Sequence, residues 1–589
     1  MCGIYGIIND KKNQAAQTVL EGLKKLEYRG YDSWGISIVP QDQKEIKVDK
    51  HIGKIGEAKT NLPSGLIALG HTRWATHGGV TDVNAHPHLD CTKKISVIHN
   101  GIVENYQEIK EELLKKGHQF ISETDTEVIA HLIEEKSKLK KINEAIFETF
   151  KLLRGSNAIA VLDLNSQTII ACRNGSPLVV GLGDSQYFLA SDVPAFLKET
   201  NKVYFLNDGE AVVLGKTGVK LFDISTGKGE VLTPQTLDWK LEDAEKSGYP
   251  HFLIKEIHEQ KKTIVKTASL NEKEIKQVSS LVNSGYRPVL IGCGTAYHCA
   301  LLGKYFFSKA GIDADSYLAH ELSVFSKFLN SRSLIIAVSQ SGETADTLIA
   351  VKAAKKRGAT IAAVVNARGS TLERLADIIL SVGAGPEIAV VSTKAFTSQL
   401  ATLYLISKAV EDKYKEGINK ITELGRELEK YLSVQSINQL ISLAKNLINE
   451  EHVYVIGKNL NYPAALEFAL KIKETSYIHA EPFAAGELKH GVITLIQKGT
   501  PCFVLTSQDE VKAEVLSSAA ELKARGGLII GISPFESKEF NILIKTPDLG
   551  DLTIFANIIV GQLLGYYLGV GRGADPDKPR NLAKSVTVK

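Results

Sequence analysis

Cysteine is scarce in this sequence, with six in 589 residues. Cys2, Cys91, Cys172, Cys293, Cys299 and Cys502 are too few for a disulfide framework, and no two are spaced as paired metal ligands. A reducing cytoplasm is the compartment that fits. Excess charge of one sign is also missing. Lys plus Arg is 70 and Asp plus Glu is 67, a net +3, which gives no reason to expect nucleic acid or an anionic membrane as partner. No clean apolar run of spanning length is found. Leu552 to Gly571 carries no charge, but Asn557, Gln562, Tyr566, Tyr567, Gly561, Gly565 and Gly569 interrupt it, which predicts a helix buried in a core or subunit interface. The opening Met-Cys-Gly-Ile-Tyr-Gly-Ile-Ile has no basic region before a long apolar one, so no signal peptide is expected. There is no Rossmann fingerprint and no Walker-type phosphate loop. What remains is an ordinary globular composition, 44% apolar and 23% charged, long enough for about three to five domains at roughly 100–200 residues each.

The chain changes rhythm near residue 240. Before it, short apolar runs alternate with turns: Gly3 to Ile8, Gly35 to Val39, Leu66 to Leu69, Ile95 to Ile98, Ile159 to Leu164, Thr168 to Cys172, Leu178 to Val180, Tyr187 to Ala190, Val203 to Leu206, Ala211 to Leu214 and Lys220 to Ile224. Helices are expected over 13–26, 104–116 and 125–136. This pattern predicts layered sheets flanked by helices. Pro234 to Tyr249 is polar and reads as a linker. Beyond it, Val289–Ile291, Leu334–Val338, Ile361–Val365 and Ile379–Val382 are buried-type runs separated by long helical stretches, the pattern of a doubly wound parallel sheet. This part also repeats: Ile291-Gly292 answers Ile456-Gly457, Val338-Ser339-Gln340 answers Thr506-Ser507-Gln508, and Arg357-Gly358 answers Arg525-Gly526. The expected limits are 1–240, 241–432 and 433–589, the last ending in a polar tail.

Cys2 follows the initiator methionine. Removal of Met1 would leave its thiol beside an α-amine of pKa about 7.7–8.0, so one residue could supply nucleophile and base. The alternative is a small residue opening a buried strand. Polar clusters follow at strand ends: Tyr28 to Ser33, His71 to Gly78, His99-Asn100-Gly101 and Ser122 to Thr126. An arginine suits a substrate carboxylate, an aspartate an ammonium, and an amide beside a glycine N–H a developing oxyanion. Cys2-Gly3-Ile4, His71 to Gly78, His99-Asn100-Gly101 and Thr124-Asp125-Thr126 closely resemble the N-terminal-nucleophile glutamine amidotransferases. That resemblance implies attack of Cys2 on a glutamine amide, Arg73 and Asp125 on the α-carboxylate and α-amino groups, Asn100 and Gly101 as oxyanion hole, and Thr76 and His77 lining the pocket. Trp34 stands where that family usually has a small residue.

Ser339-Gln340-Ser341-Gly342-Glu343-Thr344 leads from a buried strand into a helix, which suits a phosphate or simply a helix cap. The equivalent of Ser341-Gly342 in the second copy is Asp509-Glu510, which would repel phosphate, so one phosphate site is expected, with Glu343 turned away from it. Gly292-Cys293-Gly294-Thr295 offers a close turn and a hydroxyl. Glu467, Lys471 and Glu474 share one helix face, either as a surface pair or as proton-transfer groups at a strand mouth. His490 follows in Gly486 to Gly491. Lys584, in the tail, is either an ordinary exposed lysine or a Schiff-base lysine held over a site.

The tandem segment resembles the sugar isomerase (SIS) domains, through Ser339 to Thr344, Ser392 to Phe396, Lys471 to Gly491 and Pro579 to Val588. The two resemblances together imply a multidomain α/β protein, a four-layer α/β/β/α N-terminal-nucleophile sandwich followed by two doubly wound SIS domains. They imply that Ser339, Gln340, Ser341 and Thr344, with Thr295 and Lys471, bind a sugar phosphate. Glu474 would move the proton between C1 and C2, His490 would help open the ring from the partner subunit, Lys584 would form the Schiff base, and Trp74 would gate an ammonia tunnel. The implied enzyme is a cytoplasmic homodimer that uses L-glutamine and D-fructose 6-phosphate to make D-glucosamine 6-phosphate and L-glutamate, without metal or organic cofactor. Ala296 stands where a serine is common. An amidophosphoribosyltransferase would need an acidic diphosphate loop and an asparagine synthetase a Ser-Gly-Gly nucleotide loop, and neither occurs. A non-catalytic sugar-phosphate sensor would not need Cys2, Glu474 and Lys584 together.

Overall fold

The computed structural model describes residues 2–237 and 245–587. Met1, the centre of the expected linker with its boundary at 240, and the last two residues lie outside the described residues. The chain divides into two compact units, residues up to 244 with the stretch from 583 onward, and Glu245–Leu582.

The first unit is built on two antiparallel sheets. One has eight strands in the order Gln235–Thr236, Lys202–Phe205, Val179–Leu182, Tyr187–Ala190, Gly3–Ile8, Ile67–Arg73, Ser33–Val39 and Lys47–Ile52. The other has seven: Gly229–Glu230, Gly218–Asp223, Glu210–Gly215, Thr168–Asn174, Asn157–Asp163, Ile95–Gly101 and His88–Leu89. Side-chain alternation assigns the layers. Ile4, Ile8, Ile98, Ala158, Ala160 and Leu162 share the core between the sheets. Their neighbours Val97, Ile159 and Val161 face the other way, onto Leu113, Ile129, Ile133 and Ile146 of three helices, Tyr106–Lys115, Glu127–Ser137 and Ile142–Leu152. The helix Ala15–Leu26 buries Val19, Leu20, Leu23 and Leu26, and its Gly22 lies against the Tyr5 ring of the central strand. The result is the expected helix, sheet, sheet, helix sandwich. The strand Lys47–Ile52 and the helix Ile142–Leu152 were not foreseen. The first is a charged edge strand, KVDKHI, with little buried, and charge is what protects a sheet edge while hiding it from a hydrophobicity pattern. Trp34 is buried and lies on the His51 ring, with centroids 4.6 Å apart, so the strand accommodates it.

The second unit holds two five-stranded parallel sheets, Asp315–Leu318, Arg287–Gly292, Ser333–Ser339, Thr360–Val365 and Ile378–Ser381, then His479–Ala484, His452–Gly457, Pro501–Leu505, Leu528–Ser533 and Ile542–Lys545. Both follow the order 2-1-3-4-5, so the repeat read in the sequence is a repeat of topology. The strands read as unbroken apolar runs because both faces are covered. Leu290, Leu334, Ile336 and Val364 face one core, while Val289, Ile291, Ile335 and Val365 face another.

Two features position the later site. Helix Thr553–Gly571, part of the apolar stretch Gly550–Gly571, which is 83% buried over its most apolar window, packs on helix Asn461–Ser476. A side chain at Gly561, Gly565 or Gly569 would collide with Phe468, with the Lys471 carbonyl or with the Thr475 carbonyl, at 2.6, 2.8 and 2.5 Å. Near the far end of the unit, the buried Asp577 carboxylate accepts from the amides of Phe252 and Leu253 at 2.9 and 2.7 Å. It thereby caps the helix Phe252–Ala268.

Candidate active sites

In the first unit, Cys2 is half-buried at the mouth of the central strand. The adjoining strand fixes its surroundings, since Gly3 pairs with Thr72 and donates its N–H to Thr72 Oγ1 at 3.1 Å. The thiol is gripped by one peptide unit on each side of Trp74. The Trp74 amide donates to Sγ at 3.3 Å, and the Trp74 carbonyl accepts from the thiol at 3.6 Å. Burial pushes the thiol pKa up, while the Trp74 N–H, Arg73 and Arg29 pull it down.

Asn100 Nδ2 donates to the Cys2 carbonyl at 3.0 Å. Its Oδ1 lies 3.1 Å from Nε2 of the buried His71, which also lies 3.1 Å from the His99 carbonyl. Burial, outweighing the Asn100 contact, lowers the His71 pKa to about 3, so His71 is neutral and serves as a donor. Next to Asn100, Gly101 has φ +142, and a Cβ there would meet the Ser156 carbonyl at 2.1 Å. The amide and the glycine N–H are therefore a fixed pair.

Arg73 is buried and donates to the carbonyls of His77, Gly78 and Gly79, so it props the loop that follows it. Asp125 is also buried, and its Oδ2 accepts from the Val103 amide at 2.7 Å. Asn84 and Glu123 tie these segments together: Asn84 Nδ2 donates to the Gly79 carbonyl and to Glu123 Oε2, both at 3.1 Å. Thr76 is exposed, and His77 rests edge-on against Tyr106. Asn84, His71 and Arg29 have structural parts here that sequence spacing did not assign; Arg29 bridges the Cys2 carbonyl and Asp192.

In the second unit, the loops after Arg287–Gly292 and Ser333–Ser339 flank the point where strand order reverses, the place where open parallel sheets bind ligands. Ser339 is buried and its Oγ accepts from the Gly342 amide at 2.9 Å. Ser341 Oγ accepts from the Glu343 amide at 3.2 Å. Gly342 has φ +62, and a Cβ would sit 2.2 Å from Ser370 Oγ. Gln340, Ser341 and Thr344 remain partly accessible at the start of helix Ala345–Lys356. Glu343 is buried, its carboxylate accepting from the Thr371 amide at 2.8 Å. In the second copy the matching loop carries Asp509, whose pKa is raised by burial and by Glu510, an unsuitable lining for an anion.

Glu467 and Lys471 are buried, so they are not the surface pair their spacing also permitted. Lys471 Nζ donates to Glu474 Oε2 at 2.7 Å, to Thr295 Oγ1 at 2.9 Å and to the Ser392 carbonyl at 3.3 Å, and lies 3.2 Å from Glu467 Oε1. Glu467 Oε1 accepts from Thr295 Oγ1 at 3.2 Å, and its Oε2 lies 2.7 Å from His298 Nδ1. Burial works against the Lys471 ammonium, but Glu467 and Glu474 outweigh it and hold its pKa above the ordinary value. This network stitches the helix Thr295–Lys309 of the first copy to the helix Asn461–Ser476 of the second, and His298 is its unforeseen member. Ala296, beside Thr295, packs against the apolar core. His490 is exposed at the end of a short turn of helix, Ala485–His490. Lys584 lies in the stretch that groups with the first unit.

A family model described as a glutamine amidotransferase domain matches residues 71–198, and one described as an SIS domain matches 280–409 and 446–545. The chain is 44% identical over its whole length to proteins of Thermococcus kodakarensis and Pyrococcus horikoshii named glutamine–fructose-6-phosphate aminotransferase (isomerizing), each also covered completely. Among solved structures, the C-terminal domain of glucosamine-fructose-6-phosphate aminotransferase from Francisella tularensis covers 57% of this chain and 99% of its own, at 32% identity and a TM-score of 0.51.

Proposed function

We propose, because this chain belongs to the glutamine–fructose-6-phosphate aminotransferase (isomerizing) family, that it converts L-glutamine and D-fructose 6-phosphate to D-glucosamine 6-phosphate and L-glutamate. Cys2, freed of Met1, attacks the glutamine amide carbon. Asn100 Nδ2 and the Gly101 N–H receive the oxyanion, and the intermediate collapses to a thioester and ammonia. Arg73 and Asp125 hold the two ends of the amino acid, with Thr76 and His77 beside them. Water then releases glutamate.

Ammonia passes to the sugar within the protein, with Trp74 as gate, because in bulk water near neutral pH most of it would become non-nucleophilic ammonium. Ser339, Gln340, Ser341 and Thr344 bind the phosphate, with Thr295 and Lys471 beside the sugar. Lys584 forms a Schiff base with the ketose and is displaced by ammonia. Glu474 carries the proton between C1 and C2, and His490 of the partner subunit assists ring opening. In this reading residues 1–240 form the amidotransferase domain, 241–432 the first SIS domain and 433–589 the second with its tail. The protein works as a cytoplasmic homodimer, in the first step of amino-sugar synthesis.

The observation that carries this reading is the sulfur of Cys2 held by both polar groups of the Trp74 backbone, with the Asn100 amide donating to the carbonyl of the same cysteine. The test is to incubate the full chain with both substrates and quantify products. Glutamate and glucosamine 6-phosphate are expected in equal amounts, and Cys2→Ala should abolish both. Undiminished amino-sugar formation from glutamine by that variant refutes the reading, and so does absence of glutamine turnover by the parent chain.

A further inference from the structure

The first unit contains a second cluster of chemistry-bearing side chains that the amidotransferase reading leaves unused. Cys91 lies in the turn between the strands His88–Leu89 and Ile95–Gly101, His118 follows the helix Tyr106–Lys115, and His131 and Glu134 share one face of the helix Glu127–Ser137. One ligand atom from each lies within 4.8 Å of all the others. Cys91 Sγ is 3.7 Å from His118 Nδ1 and 3.5 Å from His131 Nδ1. Glu134 Oε2 is 3.2 Å from His118 Nδ1 and 3.4 Å from His131 Nδ1.

Those are the edges of a coordination tetrahedron. With Zn–S near 2.3 Å and Zn–N or Zn–O near 2.0–2.1 Å, tetrahedral angles place S and N about 3.6 Å apart and N and O about 3.3 Å apart. We propose that Cys91, His118, His131 and Glu134 bind a divalent first-row cation of the Zn²⁺ class as a structural site.

The outer groups point the same way. Both imidazoles turn Nδ1 inward. Outside, His118 Nε2 lies 3.2 Å from Glu135 Oε2, and His131 Nε2 lies 3.7 Å from Glu127 Oε1. The Glu135 carboxylate fixes the His118 tautomer with its inner lone pair free to bind metal, and the Glu127 carboxylate faces the outer nitrogen of His131 from just beyond hydrogen-bond distance. Without a cation those lone pairs would face a thiol and a carboxylate. Protonating them instead would place two imidazolium rings with centroids 5.3 Å apart, each 3% exposed or less. One thiolate, one carboxylate and two neutral imidazoles balance a dication. The exposed Cys91 leaves an entry path.

The ion would brace the element that carries the glutamine-binding candidates. Glu127, the carboxylate behind His131, also accepts from the amides of Ile121 and Ser122 at 2.8 and 2.7 Å, directly ahead of Thr124 and Asp125. The sequence offered no sign of the site, because its lone cysteine draws partners from 27, 40 and 43 residues away.

The test uses the full chain after chelator treatment, titrated with Co²⁺ and then with Zn²⁺ in competition. One Co²⁺ per chain is expected, with the intense visible bands of a tetrahedral centre and a thiolate-to-cobalt charge-transfer band. Cys91→Ser should erase that band and weaken binding at least tenfold. Glu135→Gln should weaken it about 10–100-fold while keeping the band. Cys91 is exposed, so its serine variant tests ligation without threatening the core. Cys293, His320 and Asp346 also converge, and an ion held there would survive Cys91→Ser. Absence of a stoichiometric ion, or a cobalt spectrum that Cys91→Ser leaves unchanged, overturns the proposal. None of these readouts depends on turnover.

Discussion

His71 orients Asn100. The ring nitrogen Nε2 lies 3.1 Å from Asn100 Oδ1, which turns the amide's N–H groups toward the Cys2 carbonyl, 3.0 Å away. Asn100→Ala is expected to lower kcat for glutamine hydrolysis about 10²–10³-fold, the usual loss for one oxyanion donor. His71→Ala should lower kcat by about tenfold, the geometry being loosened and the donor kept, and His71→Gln, which retains an N–H, should recover part of that loss. KM for the sugar phosphate should not move. A rise in KM for glutamine with kcat intact would contradict the orienting role.

Acid should unfold the first unit early. Burial pushes His71, His86 and His88 below the ordinary value of 6.5, His71 to about 3. The unfolded chain therefore takes up more protons than the folded one between these limits. Stability is full above about pH 6.5 and is lost as pH falls toward about 3. Calorimetry of the full chain should show the melting temperature of this unit falling steadily from about pH 7 to about pH 4.5. A flat profile would contradict the burial argument.

Removing the Lys471 ammonium leaves Glu467 buried without its counter-ion. Lys471→Ala should cost about 3–5 kcal/mol of stability, the usual penalty for breaking a buried pair from one side. Adding Glu467→Gln to Lys471→Ala should recover much of it. Denaturant unfolding of the three chains measures this, and equal losses in single and double variants would contradict the pairing.

The hydroxyl loop should separate the two half-reactions. Ser341→Ala and Thr344→Ala are each expected to raise KM for fructose 6-phosphate about 10–100-fold, the value of a hydrogen bond to a charged group. Glutamine hydrolysis without sugar should keep its KM. Steady-state kinetics on both substrates decide, and a change confined to glutamine would reject the phosphate assignment.

Gly565 tests the packing behind the second site. A methyl there meets the Lys471 carbonyl and Thr475 Oγ1, both at 2.8 Å. Gly565→Ala should cost about 1–3 kcal/mol, as overpacking does, and should reduce amino-sugar synthesis more than glutamine hydrolysis. Unchanged thermal stability would mean that the two helices separate freely.

Most of this architecture could be read from the sequence because it is written at short range. Gly3–Ile8 and Tyr187–Ala190 are apolar runs between turns, and both strands fall at those limits. The parallel sheets announced themselves through runs such as Leu334–Val338, apolar on both faces. Elements that do not depend on a hydrophobic pattern stayed hidden, as with the charged edge Lys47–Ile52. At the sites, the residues found early sit in compact motifs, such as His99-Asn100-Gly101. The ones missed act across the fold: His298 reaches Glu467 over 169 residues, and Asn84 reaches Glu123 over 39. Burial was equally invisible, since Glu467 and Lys471 have the spacing of any solvated helix pair.

The Asp577 carboxylate that completes the start of helix Phe252–Ala268 is made 325 residues after Phe252. At about 5–20 residues per second, a ribosome needs about 15–65 s to cover that stretch. The opening sandwich can fold as it emerges, whereas this helix must wait for residue 577 before its first turn is closed. Truncation just upstream of 577 should therefore harm the folding yield of the second unit far more than its small loss of mass suggests.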